Sequence, residues 1–113
     1  MECVFCQIVS GQLPAAIEYE NDHVVVFRDI RPQAPFHWLV VPKKHMVSIL
    51  ECHRKDDAVW LAVLEAVHDL SRVHQLAEKG FRLVTNTGEA AGQTVLHMHF
   101  HLLAGRTLHW PPG

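Results

Sequence analysis

His97, His99 and His101 stand at alternate positions in the stretch HMHFHLL, with Met98, Phe100 and Leu102 between and beside them. In an extended strand the three imidazoles share one face and the apolar residues share the other. The apolar set is ready-made for a core. The imidazole row needs a chemical reason, because burying adjacent rings costs free energy unless their nitrogens find partners, and mutual repulsion opposes protonating all of them together. Three readings are open on these residues alone: a structural row, a three-histidine zinc site with an open position, and phosphorus chemistry. In the last, a neutral imidazole nitrogen attacks phosphorus while neighbouring rings hold the oxygens.

The preceding loop, TNTGEAAGQT, favours the third reading. Gly88 and Gly92 permit close approach of the backbone to an anion, and Thr94 offers a hydroxyl. A metal site alone has no use for such a loop.

The remaining elements must carry this row. With 113 residues the chain is read as one domain, 1–113, large enough for a single modest core. Ten Lys and Arg against twelve Asp and Glu give a formal charge of −2, which argues against a basic platform for nucleic acid. The segment MECVFCQIVSGQLP has no basic, apolar leader pattern, and no run is long enough to span a bilayer. Three cysteines make no disulfide framework, so a reducing cytoplasm is the expected location.

Apolar spacing predicts a short helix over Glu2–Ser10 closed by Gly11, then strands AIEYEN and HVVVFRDI joined through Glu20–Asn21–Asp22. The loop RPQAP precedes a third strand, FHWLVV, which ends at Pro42. From Lys55 to Lys79 the pattern turns helical, with Trp60, Val63, Leu64, Val67, Leu70 and Ala77 as the apolar stripe and Gly80 as the C-cap. FRLVTN and VLHMHFHLL supply two more strands. Strands interrupted by one long helix imply an α+β fold with a largely antiparallel sheet. The sheet face away from that helix must then be covered or be a working surface.

Several motifs in order carry a family resemblance: FCQIVSGQLP, FRDIRPQAPFHWLVVPKKH, GQTVLHMHFHLLAGR and the terminal HWPPG. Together they resemble the histidine triad (HIT) family, in its branch of histidine triad nucleotide-binding proteins, over nearly the whole chain. The resemblance implies a five-stranded antiparallel sheet with two helices, and two subunits joined in a ten-stranded sheet. It implies hydrolysis of purine nucleoside phosphoramidates at the α-phosphorus, through a nucleotidyl–histidine intermediate, with release of a nucleoside monophosphate. A nucleotide-binding scaffold with incidental turnover is the alternative.

By the same resemblance His99 is the nucleophile, His101 and His37 surround the phosphate, and the main-chain carbonyl of His97 orients His99. Asn86, Gln93 and Thr94 match positions near the phosphate or leaving group. Asp29 matches the carboxylate that receives the ribose hydroxyls, although its position also suits a turn cap. Val4, Phe5, Ile8, Phe27 and Ile30 match the slot for the base, and Trp110 matches a tail residue directed at a partner's active site. Catalysis needs no cofactor on this reading.

Cys3 and Cys6 form a C-x-x-C pair, which is half of a common zinc pattern and also the kind of small residue a helix buries. Related proteins complete such a site with two histidines, matched here by His45 and His97, to give a structural Cys₂His₂ zinc site.

Overall fold

Val24, Val25, Val26, Val40 and Val41 are all 3% exposed or less, and five such β-branched side chains favour pleated backbone buried on both sides. They lie in β2 (Val24–Arg28) and β3 (Phe36–Pro42), which pair antiparallel from Val24↔Pro42 to Arg28↔Trp38. The computed structural model describes residues 3–113. Its sheet adds β1 (Ile17–Glu20), β4 (Phe81–Val84) and β5 (Phe100–Ala104) in the order β1-β2-β3-β5-β4, with every neighbouring pair antiparallel. Asn21 makes the β1–β2 turn by accepting the amides of His23 and Val24 on its side-chain oxygen.

The two faces have different cover. Helix α2 (Asp57–His74) lays Val59, Ala62, Val63, Ala66 and Leu70 against Val24, Val26, Trp38, Val40, Met98, Phe100 and Leu102. Each fully buried aliphatic side chain of this kind contributes about 1.5–3 kcal/mol. Helix α1 (Val4–Val9) covers only part of the opposite face, setting Phe5 on Val25, Phe27, Leu39 and Val41. The rest of that face is free to work.

The structure redraws several expected boundaries. Helix α1 begins at Val4; Glu2 lies outside the described residues. Helix α2 ends at His74, with Gln75 in the left-handed region at φ 56°, and Gly80 instead follows a separate 3₁₀ turn over Leu76–Glu78. That earlier stop puts Leu76 into the core and leaves Ala77 exposed, contrary to the expected stripe. Leu64, also expected in the stripe, is 50% exposed because it lies about 100° around the helix from Val63, whereas Ala62 and Ala66 complete the buried line. The last strand starts at Phe100 instead of Val95. Pairing with β3 stops at Val40↔Phe100: Pro42, two residues on, has no N–H to extend the ladder, and the Met98 amide bonds instead to the Met46 carbonyl at 2.6 Å.

Candidate active site

The alternation survives beyond the regular strand. Met98, Phe100 and Leu102 enter the α2-side core, and the three histidine rings lie on the α1 side. They do not converge on one point. His97 is fully buried, donates Nε2–H to the Pro42 carbonyl at 2.8 Å, and turns Nδ1 toward Cys3, Cys6 and His45. A three-histidine zinc site is therefore not what this row builds.

His99 is held in one tautomer. Its Nδ1 lies 2.7 Å from the main-chain carbonyl of His97, and since a carbonyl only accepts, Nδ1 carries the proton. The lone pair of the neutral ring is then on Nε2. Phe5 meets this ring edge to face at 5.0 Å between centroids, and the Thr85 hydroxyl donates to the His99 carbonyl at 2.8 Å.

His101 is held in the opposite tautomer. The backbone amide of Gln33 donates to His37 Nδ1 at 3.0 Å, so a neutral His37 carries its proton on Nε2. That nitrogen lies 2.9 Å from His101 Nδ1, which must accept, leaving His101 with Nε2–H. Two neighbouring rings 5.2 Å apart thus present a lone pair and a donor respectively. Burial lowers His37's affinity for a proton, with Asp29 opposing, and burial together with the charges of His99 and His37 brings His101 down to about 4. At neutral pH His101 is an uncharged donor.

His99 and His101 stand at one end of a cleft of about 840 Å³. Val4, Phe5, Ile8, Phe27 and Ile30 line its apolar part, and Asp29, Asn86 and Thr94 line its polar part, so ten of the expected residues meet there. His37 stands behind His101. Asp29 acts as the turn cap, Oδ1 accepting the Arg31 amide at 2.8 Å, and its Oδ2 lies 3.5 Å from His37 Nε2.

One expected residue is placed elsewhere. Gln93 does not line the cleft; its buried amide accepts from the Gly88 amide and donates to the carbonyls of Val47 and Val95, which ties the 88–92 loop down. Trp110, expected to face a partner's active site, is 83% exposed and lies outside this chain's own cleft lining. Residues not singled out in the sequence line it too, among them Leu13, Pro14, Ala15 and Pro32. The proline punctuation at 14 and 32 was the available signal, since small rigid residues flanking a strand pair make a good wall.

The Cys3–Cys6–His45–His97 group passes the geometric test for zinc. Tetrahedral bonds of about 2.3 Å to sulfur and 2.0 Å to nitrogen separate the ligand atoms by about 3.3–3.8 Å. Of four separations, 3.4 Å (Cys3 Sγ–His97 Nδ1) and 3.6 Å (Cys6 Sγ–His97 Nδ1) lie within that span, and 3.2 Å (Cys6 Sγ–His45 Nδ1) and 3.1 Å (His45 Nδ1–His97 Nδ1) fall just short of it. The His97 bond to Pro42 leaves the Nδ1 lone pair free for a metal. A second cluster, Asp29–His37–His101, brings its ligand atoms together too, but its hydrogen bonding opposes a metal. A metal on His37 Nε2 would move the proton to Nδ1, against the Gln33 N–H.

An antiparallel sheet here sets paired, oppositely tautomeric imidazoles beside a largely apolar cleft. Comparison with known proteins makes the class definite. Residues 10–108 match the HIT domain, and the chain belongs to the HIT family. It is 45% identical over 112 residues to an uncharacterized HIT-like protein of Synechococcus elongatus, covering 99% of this chain and 97% of that one. A HIT family hydrolase from Legionella pneumophila superposes with a TM-score of 0.95 at 43% identity, covering 99% of this chain and 100% of that chain. A histidine triad nucleotide-binding protein from Candida albicans superposes at 0.83 with 31% identity, covering 97% and 83%. The fold is that of HIT family hydrolases. Among the described residues no helix is long and apolar enough to cross a membrane.

Proposed function

We propose that this protein, in the manner of the nucleotide-binding branch of its family, hydrolyses purine nucleoside phosphoramidates at the α-phosphorus through a covalent intermediate on His99. The observation that carries the reading is the tautomer pair: a lone pair on His99 Nε2 beside a donor on His101 Nε2, at the mouth of an apolar slot. The cleft volume lies within the usual range of about 300–1,000 Å³ for small-molecule sites. The base enters between the apolar side chains, and Asp29 receives the ribose hydroxyls.

In the first step His99 Nε2 bonds to phosphorus and the P–N bond of the substrate breaks. The bonding pair stays with the amine nitrogen, which takes a proton from solvent. Positive charge builds on the His99 ring as this bond forms, and the His97 carbonyl on Nδ1–H steadies it. His101, uncharged, donates Nε2–H to a phosphoryl oxygen. Water then adds to phosphorus, the pair of the His99–P bond returns to Nε2, the water's proton leaves to solvent, and a nucleoside monophosphate departs.

Zinc held by Cys3, Cys6, His45 and His97 belongs to the same reading. The ion supplies a structural cross-link, tying the start of α1 to the residue whose carbonyl orients His99. A homodimer through β4 belongs to it as well. This edge strand exposes Phe81 and Leu83, α2 exposes Leu61 and Leu64, and Trp110 stands uncovered. Three cysteines outside any disulfide, two of them on zinc, suit a reducing cytoplasm.

The test is incubation with adenosine 5′-phosphoramidate, comparing wild type with His99→Ala. Release of AMP by the wild type alone is expected. Intact AMP binding without turnover would replace the enzyme by a binding module.

A further inference from the structure

The donor on His101 depends on His37, whose Nδ1 accepts a backbone amide in the loop from Arg31 to Pro35 at 3.0 Å and whose Nε2 has a longer contact, 3.5 Å, to Asp29 Oδ2. That loop has few internal ties. Pro32 and Pro35 lack an N–H, and the Gln33 side chain bonds only back to the Arg31 carbonyl at 3.0 Å. Its placement comes from the exit of β5. Arg106 donates Nε–H to the Gln33 carbonyl at 2.9 Å and Nη1–H to the Thr107 carbonyl at 2.8 Å. Gly105, at φ +98°, packs so closely that a Cβ there would lie 2.8 Å from Pro35 Cβ.

We propose that Gly105 and Arg106 are positioning residues for the reaction, clamping the 31–35 loop so that the Gln33 amide locks the tautomers of His37 and His101. The proposal rests on the reading that His101 faces the phosphoryl group. If the Gln33 amide moves away, only the longer Asp29 contact on Nε2 opposes a His37 proton on Nδ1. Its Nε2 lone pair then faces His101 Nδ1, which must take the proton, and His101 Nε2 changes from donor to acceptor. A small shift of loop backbone thereby removes a hydrogen bond to the transition state without emptying the cleft.

The experiment compares wild type, Arg106→Ala, Arg106→Lys and Gly105→Ala. Two-bond ¹H–¹⁵N correlations of the histidine rings report tautomers with no substrate present, and steady-state kinetics on adenosine 5′-phosphoramidate report kcat and KM. Arg106→Ala, a change to an exposed side chain, is expected to mix the His37 and His101 tautomers. It should lower kcat about tenfold, while KM stays within about twofold. Arg106→Lys, keeping charge but only a single point of donation, should fall between. Gly105→Ala should shift both readouts further in the same direction. Single, wild-type tautomers in Arg106→Ala overturn the proposal, and so does a kcat loss without tautomer change. If wild type shows the single assigned tautomer on His37 and on His101 and Arg106→Ala mixes them, yet neither protein hydrolyses the phosphoramidate, the clamp stands and the functional reading fails.

Discussion

Acidification from pH 7.5 to pH 5.0 should destabilise this fold through its histidine face, and His101 allows the effect to be sized. Burial and the neighbouring His99 and His37 charges bring His101 to about 4, against an ordinary 6.5 for the unfolded chain. Between those values the unfolded state binds the proton and the folded state does not, so stability rises with pH across that window. The contribution is complete above 6.5 and is lost as pH falls toward 4. At pH 5.0 the two affinities differ in their protonation free energy by about 2 kcal/mol for this one ring. His37 acts in the same direction. Urea unfolding at the two pH values, in wild type and in His101→Gln, measures the effect, because carboxylates away from His101 titrate alike in both proteins. The wild type should lose about 2 kcal/mol more than the variant. Equal losses, or a wild type that gains stability on acidification, would refute the assignment of His101 as an uncharged buried donor.

Three further outcomes are expected. Gln93→Ala removes a buried amide with three partners and should cost about 2 kcal/mol in urea unfolding, while loosening the loop that carries Thr94. Purified protein should hold close to one zinc per chain by elemental analysis. Cys6→Ser should abolish that stoichiometry and lower the melting temperature by several degrees, about 5 °C for each kcal/mol lost. Phe81→Glu places a charge on the exposed edge strand and should shift sedimentation from dimer to monomer without changing far-ultraviolet circular dichroism.

The strands were legible because their residues are β-branched and their faces alternate. That pattern also told correctly which side of HMHFHLL enters the core, although regular pairing starts only at Phe100. The end of α2 was not legible. A left-handed Gln75 carries none of the composition that marks a stop, and Gly80 offered a more obvious but later one. The site divides the same way. The apolar slot, Asp29 and the His99 neighbourhood followed from motifs. The role of His37 did not, because it is set by a backbone amide four residues away, and amide direction leaves no trace in residue identity. Gln93 shows the converse: its type fits a phosphate contact, but its three bonds are all to the protein's own backbone.

The central claim is that His99 Nε2 forms a bond to phosphorus, and rapid quenching of wild type with adenosine 5′-phosphoramidate followed by peptide mass mapping tests it most directly. The account predicts one adenylyl group on the peptide containing His99, assigned to that ring and absent from His99→Ala. AMP production with no adduct, or an adduct on another residue, would contradict it.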